Sequence, residues 1–438
     1  MAPGPSDRRT HRARQLRRRR AGALALAILA ALVVVGAVGV FAGWFKSSTT
    51  ATTTAQTHPA APVVPPKPAP APVVSTAAWP TFGNTAANTR SAVNVDTTRP
   101  LHTLWTTSTG RLIELPPVIG GGRVVVGNYG YGVAIDQQTG KLLWKHAVGA
   151  NIAASPALTG LPGTPSAGEP QRDIFATMAG HVLALDPATG RPIWTVALGS
   201  SVETSPLVLG DGVFVGTRAG DVVRISLTTH RVVWDVQTGG SVKGAITRDG
   251  NDIVFGNYAG AVTALDPSSG AVVWRVYDPS GSSGTFYGAA AVTEGRLYIG
   301  NTNGSVMALD ATNGRLIWSQ QTGGYVYSSP AVADGLVFIG SYDHNLYALS
   351  ARSGRVVWRQ DLGAPISGSP SVIGGLVWIA TLGATAASGH TYAMDVRTGA
   401  IALTRAAGRY AAPVAIPGLI VDPGLDAVAA LAPAGAAG

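Results

Sequence analysis

Chemistry in this chain must come from side chains other than cysteine, because its 438 residues contain none. Disulfides, thiolate metal sites, a cysteine nucleophile and a lipid-modified N-terminal cysteine are thereby excluded. The residues best placed to act recur roughly every 40 positions: Glu114, Ala153, Glu203, Lys243, Tyr287, Tyr327, Ser367 and Tyr410. Each stands three before the position, often Pro, that opens a short apolar strand. If the units close into a ring, these side chains converge at the mouth of its central channel. Two carboxylates, one ammonium and three phenols would then form a small polar funnel. Turns of the same units add Asn128-Tyr129, Arg218, Asn257-Tyr258, Asn301 to Asn303 and Tyr342-Asp343-His344. Side chains at a wet mouth can be merely solvated, and Lys243 can simply neutralise Glu203. The alternative is a site for a small ligand or peptide, or a protein-binding rim, since Tyr and Arg are enriched at interfaces. The candidate contacts are Glu114, Glu203, Lys243, Tyr287, Tyr327, Tyr410, Tyr129, Arg218, Tyr258 and Tyr342.

No catalytic set accompanies them. The chain has no HExxH, no GxSxG, no Walker loop and no GxGxxG opening a helix. Its eight histidines are scattered, and no pair has metal-ligand spacing on one element. The expectation is a protein without catalytic residues, metal ligands or cofactor.

The elements that must position the ring are legible from tryptophan. Trp105, Trp144, Trp194, Trp234, Trp274, Trp318 and Trp358 are spaced by 39, 50, 40, 40, 44 and 40 residues, the mark of a repeat fold. Each closes one phrase, best preserved around Asp136, Asp186, Asp266 and Asp310, in which an apolar strand ends at Asp, a Thr-Gly-like turn follows, and Trp comes next. Each unit divides into four short strands separated by Asp-Gly, Asn-rich and Thr-Gly turns. The third strand is apolar on nearly every residue and reads as buried on both faces. The Trp of the fourth can wedge between neighbouring sheets. Four-stranded units at this period mean an all-β propeller. Seven complete units run from 115 to about 407. An eighth has three strands near 413–416, 419–422 and 427–432, and its fourth is supplied by 101–107. Pairing these incomplete halves gives eight blades and removes two exposed edges.

The Ala-Leu-Asp-x-x-Thr-Gly-x-x-x-Trp phrase resembles the pyrroloquinoline-quinone-like (PQQ-like) propeller repeat. That repeat occurs in quinoprotein dehydrogenases, in the outer-membrane assembly lipoprotein B and in membrane-anchored bacterial proteins. The opening from Trp79-Pro80-Thr81-Phe82-Gly83-Asn84 to Thr89-Arg90 is similar to theirs. The resemblance covers about 79–434 and rests on turn and packing residues, so it implies fold more than function. The dehydrogenases it points to use a vicinal Cys-Cys disulfide against the quinone and a Glu/Asn/Asp set for calcium. This chain lacks the cysteines, and the spacing of Glu114, Glu203, Asn151 and Asn128 matches no such set.

In a four-stranded blade the first-to-second and third-to-fourth turns share one face, and the other connections open on the opposite face with the funnel. Insertions at 278–284 and 383–390 enlarge the funnel face, and 160–172 falls on the other.

The net charge of +9 is local. Residues 1–46 hold nine basic groups against Asp7, and the remaining 23 basic and 22 acidic groups leave a body of +1. Such a body has no basic stripe for nucleic acid. Residues 21–45 carry no charge and, as a helix, reach about 37 Å, enough to cross a hydrocarbon core of about 30 Å. Eight flanking arginines orient that segment with its N-terminus in the cytoplasm; a cleaved signal peptide is the competing reading. The organisation expected is a basic cytoplasmic tail (1–20), a transmembrane signal-anchor (21–45), a Thr/Ala/Pro spacer (46–78) and a propeller (79–434) outside the plasma membrane. The functional expectation is a noncatalytic binding or scaffold protein of the cell envelope, with a protein or cell-wall component as partner. A sensor using the funnel is the alternative, and a PQQ-dependent dehydrogenase the remaining one.

Overall fold

The computed structural model describes residues 77–278, 284–383, 389–406 and 410–435. The expected tail, membrane segment and nearly all of the spacer lie outside them. Among the described residues no helix is long and apolar enough to cross a membrane.

Eight antiparallel sheets form the eight blades, which we number in chain order. Blade I covers residues 118–151, II 157–197, III 207–237, IV 247–277, V 291–321, VI 331–361 and VII 371–405. Blade VIII joins Val414–Ile416, Leu419–Pro423 and Ala427–Pro433 to the distant strand Leu101–Ser108. Leu101 pairs with Pro433 and Ser108 with Ala427, so the expected closure across the chain ends is present. The third strands are buried along most of their length, as in Ala261–Leu265, because each is covered on both faces by neighbouring blades.

The repeated phrase is a coupling device between blades. In all eight, the fourth strand slips register just before the Trp position, as at Arg224/Ile225 and Ala308/Leu309. The slip is a bulge that re-aims the side chain. In six blades it sends the indole toward the next blade's third turn, where its N–H donates to the carbonyl following the Asp or Ser position. Trp318 donates to Ala351 O at 3.0 Å and Trp358 to Val396 O at 2.9 Å. Across the closure, Trp105 donates to Gln137 O at 3.1 Å. The turn glycine serves two needs. At Gly354 φ is +73°, and a Cβ there would stand 2.6 Å from the Trp318 ring. Blade III replaces this glycine with His230, which holds φ at +58° and stacks on Trp194 at 5.6 Å.

The inner seam is polar and equally repetitive. The Ser155 N–H donates to Ser205 Oγ, the Ala289 N–H to Ser329 Oγ, and the Ser329 N–H to Ser369 Oγ, all at 2.8–2.9 Å. Serines before the strand-opening prolines thus tie the innermost strand of blade II to that of III, that of V to VI and that of VI to VII.

The channel itself is filled from one end, which the repeat pattern did not foretell. The lead-in enters beside the first turn of blade I, where Trp79 exchanges two backbone hydrogen bonds with Ile119. Its carbonyls then accept from inner strands in turn: Pro80 from Leu158, Ala86 from Arg248, Ala87 from Val292, Thr89 from Val332 and Arg90 from Val372. It leaves as Ser91–Ala92, parallel to Ser371–Ile373. Arg90, fully buried, holds this plug. Its guanidinium donates to Pro370 O at 2.6 Å, Phe82 O at 2.7 Å and Ser369 O at 3.3 Å, and lies 4.4 Å over the Phe82 ring. Burial lowers its pKa to about 9, so it remains cationic at neutral pH, compensated by carbonyl dipoles.

Candidate functional site

At the other end the channel opens as a blind funnel. The residues before each innermost strand meet there because every fourth strand ends on that face and turns inward. Glu114, Glu203, Lys243, Tyr287, Tyr327, Ser367 and Tyr410 line one cavity of about 80 Å³ together with Phe82. Seven of the eight positions read from the repeat are therefore in the lining; Ala153, a buried methyl, is not. Phe82, which the repeat does not contain, belongs to the lining and comes from the plug.

Charge within the funnel is arranged in pairs. Lys243 Nζ lies 3.0 Å from Glu203 Oε2, and 5.4 and 5.7 Å from the ring centroids of Tyr258 and Tyr287. Across the ring, Tyr129 Oη donates to Glu114 Oε2 at 3.0 Å. Burial holds the Glu114 carboxyl above the usual range, with Glu203 adding to the shift and Tyr129 and Lys243 opposing it. Burial likewise pushes Tyr129 and Tyr258 up to about 12, and raises Tyr287 and Tyr327. These phenols are protonated donors at neutral pH.

The tyrosines form an arc. Tyr258 is 6.3 Å from Tyr287, Tyr287 is 5.0 Å from Tyr327, and Tyr327 is 5.0 Å from Tyr342, centroid to centroid. Tyr325 extends it outward, 6.1 Å from Tyr327 and 6.5 Å from Tyr342. Edge-to-face rings at these separations are mutually favourable. Tyr325 is 58% exposed and was not among the residues singled out from the sequence, although it stands two before Tyr327 in the same connection. A shallow groove of about 480 Å³ runs beside it, lined by Asn303, Gln321, Thr322, Tyr325 and Tyr342. Arg218 is not part of the cluster: it stays exposed on its turn and reaches Tyr258 only through its field. Of the insertions, 160–172 lies on the face opposite the mouth, between Ala157–Leu158 and Asp173–Ala176. Of the other two, only the flanking residues 278, 284, 383, 389 and 390 are described, and these stand on the mouth side; 279–283 and 384–388 fall outside the described set.

Among the described residues no three His, Cys, Asp or Glu gather as a metal site. What the funnel offers is two carboxylates, one ammonium and a set of phenol donors, with an aromatic floor.

Known proteins place this architecture. Residues 99–161, 157–276 and 258–409 match the PQQ_2 family model, described as outer membrane protein assembly factor BamB. Among solved structures, BamB from Moraxella catarrhalis superposes with a TM-score of 0.61 at 19% identity, over 77% of this chain and 98% of its own. Quinohemoprotein alcohol dehydrogenase from Comamonas testosteroni gives 0.66 at 16%, over 81% and 80%. A europium-containing methanol dehydrogenase gives 0.67 at 15%, over 82% and 98%. A search of curated proteins finds no match. Identities this low speak for the fold alone. The family match covers well over half of the sequence, and on that ground, together with the eight blades and their Trp-to-turn couplings, the chain belongs to the PQQ_2 family of β-propellers.

Proposed function

We propose that the chain is a noncatalytic binding propeller of the bacterial cell envelope, with the tyrosine-rimmed mouth as its contact surface for a protein partner. The observation that carries this reading is the continuous arc from Tyr258 to Tyr325 on one face, ending in an exposed ring above an open groove. Tyrosine supplies large contact area at little entropy cost and is enriched where partners bind. The family's description as an assembly factor agrees with a scaffold role. In this reading residues 21–45 anchor the chain in the plasma membrane, N-terminus in the cytoplasm, and the spacer carries the propeller outside. Ala77 and Trp79 join the propeller beside the first turn of blade I, on the face opposite the mouth, so the chain enters the ring away from the mouth.

The fold family also implies a quinone cofactor, and the residues here do not fit one. A planar tricarboxylate would meet Glu114 and Glu203 with Lys243 already paired, and Phe82 rises into the cavity floor. The sequence has no cysteine to form the vicinal disulfide. No step is assigned to that cofactor.

The test is affinity capture from detergent extracts. A stoichiometric partner recovered with the native chain and lost with Tyr325→Ala/Tyr342→Ala supports the reading. Undiminished recovery by that pair moves the contact off this face and overturns it. Deleting 21–45 should move the protein from the membrane to the soluble fraction.

A further inference from the structure

The ring already shows how it treats an ammonium group. Lys243 Nζ is seated on Glu203 and faces Tyr258 and Tyr287, within the roughly 6 Å at which an aromatic face attracts a cation. Glu114 shares the cavity, but among the described residues no cation is seated on it; Lys243 reaches it only through its field. It lines the same cavity as Tyr287, Tyr327 and Tyr410, accepts a hydrogen bond from the neutral Tyr129, and among the described residues has no salt-bridge partner. A phenol donor satisfies a lone pair but leaves the charge unbalanced. A cavity of about 80 Å³ exceeds the roughly 10–15 Å³ needed by one water several-fold, and its Phe82 and tyrosine lining suits the apolar stem of a short alkyl chain. An anion would meet two carboxylates and only one, already paired, ammonium. A neutral ligand would leave Glu114 uncompensated.

We infer that the funnel seats a primary alkylammonium group on Glu114, supplied by a free amine or by the tip of a lysine side chain. The inference rests on reading the mouth as the binding face. Its assay uses the isolated full-length chain, so absence of a partner and absence of amine binding fail separately.

The experiment titrates butylammonium chloride into the detergent-solubilised chain, with butanol and butyrate as neutral and anionic comparators, affinity read by ligand-observed saturation-transfer NMR and stoichiometry by isothermal titration calorimetry. Saturable binding of butylammonium, at least about tenfold tighter than either comparator, is expected. Glu114→Gln should weaken it at least about tenfold. Lys243→Met, which vacates the seat on Glu203, should bind a second equivalent. Nα-acetyl-lysine methylamide separates the sources: binding as tight as butylammonium assigns the seat to a lysine tip, and butylammonium binding alone assigns it to a free amine. Equal binding of butanol, undiminished binding by Glu114→Gln, or unchanged stoichiometry in Lys243→Met would overturn the inference. If Glu114→Gln does not fold, the native chain's selectivity among the three probes decides.

Discussion

The coupling of neighbouring blades through tryptophan and glycine can be tested with two glycines of nearly identical backbone. Gly335 has φ +72°, and a Cβ added there would meet nothing within 4 Å; Gly354 has φ +73°, and its Cβ would stand 2.6 Å from Trp318. Alanine at either position suffers the left-handed penalty of about 1–2 kcal/mol. Only at 354 does the methyl also force the Trp318 ring away, adding an overpacking cost of about 1–3 kcal/mol. Gly335→Ala should therefore cost about 1–2 kcal/mol and Gly354→Ala about 2–5 kcal/mol. Trp318→Ala should itself cost about 3–5 kcal/mol, because its indole is buried and loses the bond to Ala351. In that background the excess at 354 should vanish, leaving the two glycine substitutions equal. Urea unfolding followed by far-ultraviolet circular dichroism measures all of these, since it does not depend on the tryptophan removed. Equal costs in the native background, or an excess at 354 that survives Trp318→Ala, would refute the coupling.

Other outcomes follow from the same structure. Removing Leu101–Ser108 should leave Ala427–Pro433 as an open edge and convert a monodisperse peak in size-exclusion chromatography into aggregate. Arg90→Met should cost at least about 3 kcal/mol through three lost charge-assisted bonds, with hydrogen exchange rising first across 77–99, and Arg90→Lys should recover only part. Asp266, held down to about 2 by Ser268 and Ser269, contributes stability present above about pH 4 and lost as pH falls toward 2. Asp186, Asp310 and Asp395 are depressed by their own turn hydroxyls and backbone amides and act in the same direction. Asp173, pushed up to about 6 by burial despite Arg123, works oppositely, its contribution falling as pH rises from about 4 to 6. Urea midpoints in Asp266→Asn should be less acid-sensitive than in the native chain between pH 4 and 2. Butylammonium affinity should fall as pH drops through the raised Glu114 range, where Tyr129, Tyr287, Tyr327, Tyr410, Glu203 and Lys243 are the titratable groups facing it; a flat profile from pH 8 to 4.5 would contradict that role.

Much of the molecule is local and therefore legible in one dimension. Strand length, the Asp that caps its own turn through Thr or Ser, and the Gly at positive φ are decided within about a dozen residues. A period near 40 then multiplies them around a ring. Register along that ring also follows from sequence, which is why seven of the eight positions aligned from Glu114 to Tyr410 line one cavity. Even an apparent lapse obeys the rule. Blade VII carries Leu403 where the others carry Trp, and the next blade, closed by a strand from the other chain end, has no Thr-Gly turn to receive an indole.

The plug could not be read this way. Phe82, Asn88 and Arg90 are ordered by partners about 160 to 280 residues away, such as Thr247 and Pro370, and nothing in their own neighbourhood specifies a channel. Whether the centre of the ring is a pore or a blind funnel was settled only when the lead-in lay down against the inner strands. The same holds for the tyrosine arc: composition places phenols near the mouth, but edge-to-face contact depends on rotamers set by packing between blades. Repetition along the chain determined the ring and the residues at its mouth, because backbone geometry and turn chemistry are short-range. Long-range burial decided what closes the funnel, which carboxylate is paired and which is not.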